Sequence, residues 1–546
     1  MTNTIPFGKS YTSPHDLVSL LQLRGLYIPD ALKAEHYLEY ISYYRLSAYM
    51  HPLLEIPKEH HLYKRGATFS KVMTKELKVT ETEIPGLLII DLPVHGDNRG
   101  WFKENWQREK MVAAGLPDFN PVQNNISFNA SVGTTRGIHA EPWDKYVSVA
   151  TGRIFGAWVD LRAGESFGKV VTVELGPDTA IFVPRGVGNS FQTLEENTAY
   201  TYLVNDHWSA DAVSGYSFLN LADETVAIDW PIDLAKAELS EKDRNHPRLN
   251  EIKPLEADPI LIIGAGGQLG TELVRQLTEQ NVPFLAVDRD RLDLGKPEQW
   301  RDAFRWRSFR AVINAAAYTA VDQAETPEGR RDAWAANALG VSALASICEE
   351  ANLPLVHVST DYVFDGSLPL GEEYPEDHPL APLSVYGASK AAGEVAAAAW
   401  RKHYTLRTSW VVGAGKNFVG TMASLAERGI DPSVVADQWG RPTFTQDLAA
   451  AALHLLFSGA EYGTYNVSNT GEVINWAQFA RAVYEGTGHD PARVSDTTTE
   501  EYFANAELFA HRPTNSAMDL SKLIAAGFTP RDHREALAAY LAEMGS

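Results

Sequence analysis

Pro259-Ile-Leu-Ile-Ile-Gly-Ala-Gly-Gly-Gln-Leu-Gly270 begins as an apolar run and ends in closely spaced glycines. Thr271-Glu-Leu-Val-Arg-Gln-Leu277 then repeats its apolar residues at helical spacing. The pattern predicts a strand, a tight turn and a helix N-terminus, whose N–H groups and positive dipole end suit the pyrophosphate of a dinucleotide. Gly264, Gly267 and Gly270 follow G-x-x-G-x-x-G rather than G-x-G-x-x-G, so the turn alone also fits a plain strand–helix connection. Such motifs usually open a domain, yet nearly half of this chain precedes it. A separate structural unit is expected upstream.

Downstream of Asp258 strand and helix patterns alternate. Strands are expected at 259–263, 283–287, 310–314, 354–359 and 404–409, with alanine-rich helices between them, which describes a doubly wound parallel sheet. Asp288 ends the second strand, where a carboxylate can bind ribose hydroxyls. Arg289 and Arg291 follow at once and suit a 2′-phosphate, so NADH and NADPH both fit. Tyr386-Gly-Ala-Ser-Lys390 places a phenol and an ammonium on one helix face. A phenol with a pKa of about 10 is a weak acid at neutral pH. A neighbouring lysine cation is expected to lower that value and let Tyr386 pass a proton to an oxygen while hydride reaches the adjoining carbon. The strand Pro354–Asp361 brings Thr360 to the same sheet edge as the glycine loop.

Upstream, residues 81–247 read as short β runs separated by turns, including Lys145–Ala150, Arg153–Leu161, Val170–Leu175, Ala180–Val183 and Ala199–Val204. This pattern predicts an antiparallel jelly roll or barrel. Ala235–Pro254 is charged, contains two prolines and reads as a connector. Residues 1–73 are aromatic-rich and helical in pattern, with a helix start at Ser13-Pro-His-Asp. The chain is therefore expected to be multidomain: a small α-helical segment at 1–73, an all-β jelly roll at 74–254 and an α/β Rossmann domain at 255–546.

A formal charge of −22 argues against nucleic acid or an anionic membrane as principal partner. No apolar run reaches the ~18–20 residues of a membrane span, and no signal-peptide pattern follows Met1; a cytoplasmic protein is expected. The single cysteine, Cys348, lies in an apolar helical pattern and reads as a buried small residue.

The C-terminal half resembles the extended short-chain dehydrogenase/reductases, and within them dTDP-4-dehydrorhamnose reductase. The resemblance rests on Asn314–Glu325, Ser359-Thr-Asp-Tyr-Val-Phe-Asp-Gly366, Tyr386–Lys390, Arg407-Thr-Ser-Trp410, Asp437–Thr443 and Arg512-Pro-Thr-Asn-Ser516. It implies Thr360, Tyr386 and Lys390 as the catalytic group, with hydride going to C4 of a nucleotide-linked 4-keto sugar. It implies Gly264, Gly267, Gln268, Leu269, Gly270, Asp288, Arg289, Ala315, Ala316, Tyr386 and Lys390 around the cofactor. Thr319, Val321, Tyr362, Trp410 and Arg512 would hold the substrate.

In the middle region Arg136-Gly-Ile-His-Ala-Glu141 sets a histidine inside the β pattern. A metal site needs three or four ligands. With no His-x-His and no evident partner histidine on the later strands, no metal is expected, and His139 reads as a general base poised by a carboxylate. The region resembles dTDP-4-dehydrorhamnose 3,5-epimerase, a cupin-type jelly roll, through Gly96–Glu104, Val122–Asn125, Arg136–His139, Val159–Arg162 and Asp223–Pro231. The resemblance implies His139 as base with Asp223 as its partner, Tyr202 as acid on the opposite face and Lys145 stabilising the enolate. Arg99, Gln123, Asn125 and Arg136 would contact the nucleotide sugar, and a homodimer is implied. Where that family usually reads Ala-His-Gly-Phe, this chain reads Gly188-Asn189-Ser190-Phe191. That departure keeps a non-catalytic, substrate-binding middle domain as an alternative.

Residues 1–72 resemble the N-terminal part of Abi-like proteins through Leu23-Arg-Gly-Leu26, Ala34–Tyr49 and Gly66-Ala-Thr-Phe69. The rest of that family's helical domain, where its proposed RNase residues lie, has no counterpart here, so an appended module without activity of its own is expected. A defence protein using the enzyme body as a sensor is the remaining alternative. The leading expectation is a bifunctional enzyme that epimerises a dTDP-4-keto-6-deoxy sugar and then reduces it with NADPH or NADH.

Overall fold

The computed structural model describes residues 13–40, 62–63, 77–97, 100–208 and 215–544. It divides into two compact units, Met1–Glu256 and Ala257–Ser546. In the first, a helix forms at Pro14–Leu23, where the Ser13 side chain accepts the Asp16 N–H and proline occupies the first turn. It buries Leu17, Val18 and Leu21. A second helix spans Ala31–Tyr40. The remainder of the Ala34–Tyr49 run and Gly66–Phe69 lie outside the described residues.

The strands of this unit are β1 (Lys78–Glu81), β2 (Leu88–Asp91), β3 (Val94–Asp97), β4 (Gly100–Lys103), β5 (Gln123–Asn129), β6 (Thr135–Ala140), β7 (Lys145–Thr151), β8 (Ile154–Asp160), β9 (Val170–Leu175), β10 (Thr179–Val183), β11 (Val187–Thr193), β12 (Thr198–Val204) and β13 (Ser217–Phe218). They form two antiparallel sheets, ordered β1-β2-β10-β7-β12-β5 and β13-β6-β11-β8-β9, with β3 and β4 as a separate hairpin. Alternate side chains point to opposite faces. Val147, Val149, Ile181 and Val183 of one sheet accordingly meet Ile154, Trp158, Val187 and Phe191 of the other in a shared core. The outer face of the five-stranded sheet, at Ile138, Ala140, Val159 and Leu161, is covered by Leu219, Leu221 and Leu249. Leu249 belongs to the segment expected to be a connector. That expectation is corrected: a short helix at Glu241–Arg244 and a 3-10 turn at Leu249–Glu251 close over the sheet. The charge of the segment masked how few apolar contacts suffice to dock it.

The second unit carries a parallel sheet with β14 (Ile260–Ile263), β15 (Phe284–Val287), β16 (Ala311–Asn314), β17 (Leu355–Thr360) and β18 (His403–Thr408) in the order β15-β14-β16-β17-β18. A sixth strand at Gly463–Asn466, which the sequence pattern did not reveal, extends it beside β18. Both faces are covered, as a parallel sheet requires. Ile260, Ile262, Ile313, Val356 and Leu406 pack under the helices Gln268–Glu279 and Thr445–Ser458. Leu261, Ile263, Val312 and Leu355 pack under Gly340–Ala351, where Cys348 is buried and its thiol pushed up by desolvation. No helix among the described residues is long and apolar enough to cross a membrane.

One charge pair is sealed into this core. Arg407 donates through Nε to both Glu394 oxygens at 3.1 Å and through Nη2 to Oε2 at 2.8 Å, with both side chains 5% exposed. Its Nη1 donates to the Glu376 carbonyl at 2.8 Å. Removing one partner leaves the other charge buried and unpaired. Arg407→Met is expected to destabilise the C-terminal unit by about 3–5 kcal/mol. The double variant Arg407→Met/Glu394→Leu should recover most of that loss, as read from urea unfolding midpoints.

Candidate active sites

In the second unit the glycine turn is built for close approach. Gly264 has φ +81°, and a Cβ there would lie 2.8 Å from Ala316; one on Gly270 would lie 2.1 Å from the Gly264 carbonyl oxygen. The helix Gln268–Glu279 starts at Gly267 without a side-chain cap, leaving its first N–H groups to whatever binds in front of them. Gln268 and Leu269 form its first turn. Asp288, at the end of β15, accepts the Gly266 N–H at 2.7 Å and thereby fixes the loop. Arg289 is exposed and paired only loosely with Asp293, at 3.3 Å. Ala315 donates to the Ile263 carbonyl, and Ala316 follows it along the loop after β16. These features fit a dinucleotide.

Thr360 ends β17. Its hydroxyl donates to Asp361 Oδ1 at 3.0 Å and accepts the Tyr362 N–H at 3.3 Å. Tyr386 and Lys390 lie on the helix Val385–Ala398, with Ser384 as its cap. Tyr386 packs with Val321 and Tyr362, and the two phenol rings meet edge-to-face at 6.1 Å. Lys390 is 2% exposed and donates to the Val358 carbonyl at 2.5 Å. Here the electrostatics differ from expectation. Burial, with the Asp361 charge adding to it, pushes Tyr386 up to about 12, against the Thr360 hydrogen bond. Burial brings Lys390 down to about 8, with Glu394 opposing. Desolvation governs the phenol in place of the expected lysine effect, so Tyr386 is a firmly protonated donor. Burial also raises Asp361 to about 6.

Arg512 converges on the same place, bonding to Asp322 at 2.9 and 3.0 Å and to the Tyr362 phenol. The exposed Thr319 and half-buried Val321 belong to the loop carrying Asp322. Trp410 adopts φ +45° and stacks on Trp476 at 3.9 Å. Gly440 lies between it and Ser516, which hydrogen-bonds Asp361.

In the first unit His139 stands on β6 directly opposite Asn189 of β11 and Phe218 of β13. Its carboxylate partner is Asp243, with His139 Nε2 and Asp243 Oδ1 2.9 Å apart. The expectation of Asp223 is corrected. Asp223 accepts the N–H groups of Thr225, Val226 and Leu249 at 2.8, 3.1 and 2.7 Å. Against burial, these bonds hold its carboxyl below the usual range. That is the work of a turn-forming side chain. Asp243 is held low by hydrogen bonds from His139, Ser240 and His246, again against burial.

Tyr202 and Lys145 enter from the six-stranded sheet. Lys145 is buried, ion-pairs with Glu141 and lies 5.9 Å from the Tyr202 ring centre. Burial and then the Glu141 charge raise the Tyr202 phenol, against Arg136. The two sheets are joined at the site by Asn189, whose Oδ1 accepts from Trp158 Nε1 at 2.9 Å and from the Tyr200 hydroxyl at 3.1 Å. Tyr200 neighbours Tyr202 at 5.7 Å. Asn125 pairs with Tyr202 across β5 and β12 and accepts from Gln123 at 2.8 Å; Arg136 donates to Asn129 at 3.1 Å. Arg99 lies outside the described residues. A partner histidine does exist: His246 Nε2 is 3.1 Å from Asp243 Oδ1, and ligand atoms of His139, Asp243 and His246 lie within 4.8 Å of one another. Sequence spacing missed it because it belongs to the supposed connector.

Comparison with known proteins gives the same division. The protein RmlC homolog of Streptococcus pyogenes is 54% identical over 179 residues, 32% of this chain and 90% of the relative. The dTDP-4-dehydrorhamnose reductase of Mycobacterium tuberculosis H37Rv is 39% identical over 292 residues, 52% of this chain and 93% of the relative. A solved structure of the Bacillus anthracis dTDP-4-dehydrorhamnose reductase in complex with NADP is 35% identical, covers 52% of this chain and 99% of its own, and has a TM-score of 0.47. The dTDP-4-dehydrorhamnose 3,5-epimerase family model matches residues 81–251. The RmlD substrate binding domain model matches 258–546, and the chain belongs to that family over more than half of its length, with an epimerase-family domain fused ahead of it.

Proposed function

We propose that the chain carries out two consecutive steps of dTDP-L-rhamnose synthesis: 3,5-epimerisation of dTDP-4-dehydro-6-deoxy-glucose, then reduction of dTDP-4-dehydro-L-rhamnose at C4 with NADPH or NADH. One observation carries it. Each family match encloses its own cluster of side chains suited to proton transfer, the half-buried His139 and Tyr202 with buried Asp243 and Lys145 in one, buried Thr360, Tyr386 and Lys390 in the other.

The 4-keto group acidifies the hydrogens on C3 and C5. His139, hydrogen-bonded to Asp243, removes one of them, and the electron pair moves onto the keto oxygen as an enolate. Lys145 offers that oxygen a cation. Tyr202, kept protonated by burial and the Glu141 charge, returns a proton to the other face, and repetition at the second carbon completes the inversion. In the C-terminal unit a bound reduced nicotinamide supplies the hydride. Tyr386 gives the proton to the C4 oxygen, Thr360 holds that oxygen's neighbourhood through its hydroxyl, and Lys390 keeps a positive charge beside the developing alkoxide.

With the epimerisation substrate and reduced cofactor, the full chain should oxidise the cofactor and take solvent deuterium into C3 and C5. His139→Ala should lose both by about 10²–10⁴-fold. Tyr386→Phe should lose only cofactor oxidation and keep the exchange. Cofactor oxidation without deuterium at either carbon would reduce the first unit to a binding module.

The reduction should also fall on the alkaline side. Lys390 must be charged and is lowered to about 8, whereas Tyr386 at about 12 remains protonated. The kcat/KM of reduction is therefore full well below pH 8 on this limb and declines as pH rises through about 8. Glu394→Gln removes the charge that opposes the lowering, so its decline should begin at lower pH.

A further inference from the structure

Asp243 does not serve His139 alone. His246 Nε2 lies 3.1 Å from the same Oδ1 that His139 Nε2 approaches to 2.9 Å. A carboxylate only accepts hydrogen bonds, so both rings must present Nε2–H to one oxygen. In a neutral ring of this tautomer Nδ1 carries the lone pair. His246 follows Asp243 by three residues, beyond the short helix capped by Ser240, whose hydroxyl accepts the Asp243 N–H at 3.1 Å. Its ring is clamped, stacked on Phe218 at 4.7 Å and edge-on to His139 at 5.5 Å. Phe218 itself stands opposite His139 in the β6–β13 ladder.

We propose that His246 is a positioning residue for the epimerisation base: by holding Asp243 Oδ1 it fixes the carboxylate that orients His139 and draws off part of the negative charge His139 would otherwise receive. This rests on the epimerase reading of the first unit. Burial lowers His246, as does the neighbouring His139, against the Asp243 contacts, which keeps it a neutral donor rather than a second cation. The groups bearing on Asp243 are His139 on β6 and His246 behind the short helix, with Ser240 as a neutral donor. Phe218 of β13 is apolar, Lys145 is paired with Glu141, and Glu141 and Arg136 act on Tyr202.

Without the His246 donor more of the carboxylate charge faces His139, which favours the protonated ring, so on acidification proton abstraction falls off at higher pH. Solvent-deuterium exchange at C3 and C5 by the full chain, without reduced cofactor, reads this directly. His246→Ala should move the acid limb of the exchange rate upward by about one pH unit, whereas His246→Gln, which can still donate to Asp243, should keep the wild-type limb. A slower His246→Ala with an unmoved limb would mean plain structural support and overturn the proposal, as would His246→Gln behaving like His246→Ala. Exchange abolished by EDTA and restored by Zn²⁺ would make the trio a metal site and overturn it as well. If His246→Ala does not fold, imidazole ¹⁵N shifts of the intact protein decide: Nε2–H on both rings is required, and Nδ1–H on His246 sinks the idea. Wild type without any exchange is a separate failure, that of the epimerase reading itself.

Discussion

Glu394 lies one helical turn beyond Lys390 and two beyond Tyr386, and its carboxylate is sealed with Arg407 in the dry interior of the sheet. The arrangement expresses the constraint on which both units depend. An ion taken out of water costs several kcal/mol unless a partner of opposite charge and further hydrogen bonds meet it. The charged groups proposed for the two reactions, Lys390 and Lys145, are nevertheless buried, and a low dielectric is what gives a fixed charge leverage on a reacting oxygen. Lys390 is held up against burial by the charge of Glu394, which its pairing with Arg407 keeps ionised. Lys145 is matched by the charge of Glu141, and Asp243 is met by hydrogen bonds from two imidazoles.

That constraint explains what could be seen in the sequence. The glycine turn and the Tyr-x-x-x-Lys pair are local: their spacing states the geometry, because a turn and one helix face need no information from elsewhere. The strand alternation of both units is local in the same sense. Partners of buried charges are a different matter. Asp243 stands 104 residues from His139, in a charged, proline-bearing stretch that looks like a linker, and nothing in either local pattern couples the two. Asp223, by contrast, sits inside a resemblance motif and attracted the assignment, although its oxygens are consumed by three backbone N–H groups. The sixth parallel strand escaped for a related reason: Gly463–Asn466 is short and lacks the aliphatic run of its neighbours, and is made a strand by β18 alongside it.

A lysine one turn away lowers a tyrosine when the pair stands alone in water. In the folded chain the phenol also has Asp361 near it and almost no water, and these raise it. The result does not weaken the proton-donor role. A reductase needs Tyr386 to hold its proton until the C4 oxygen becomes an alkoxide, a far stronger base than any group in the resting site. The lysine's contribution is then to the transition state, where charge develops, rather than to the resting phenol.

The same comparison of resting environment with demand bears on Asn189. It occupies the place directly opposite His139, where the related family usually has histidine. Its amide oxygen accepts two donors at once, the Trp158 N–H and the Tyr200 hydroxyl. A neutral imidazole offers a single acceptor nitrogen, and an imidazolium none. In this chain the position is therefore suited to an acceptor that does not titrate, tying the two sheets together behind Tyr202. The substitution removes an ionisable group from beside the base while leaving His139, Asp243, Tyr202 and Lys145 all in place. A domain that had become only a binding module would have no need of a buried lysine–glutamate pair next to its tyrosine, nor of a histidine held on a carboxylate that a second histidine shares.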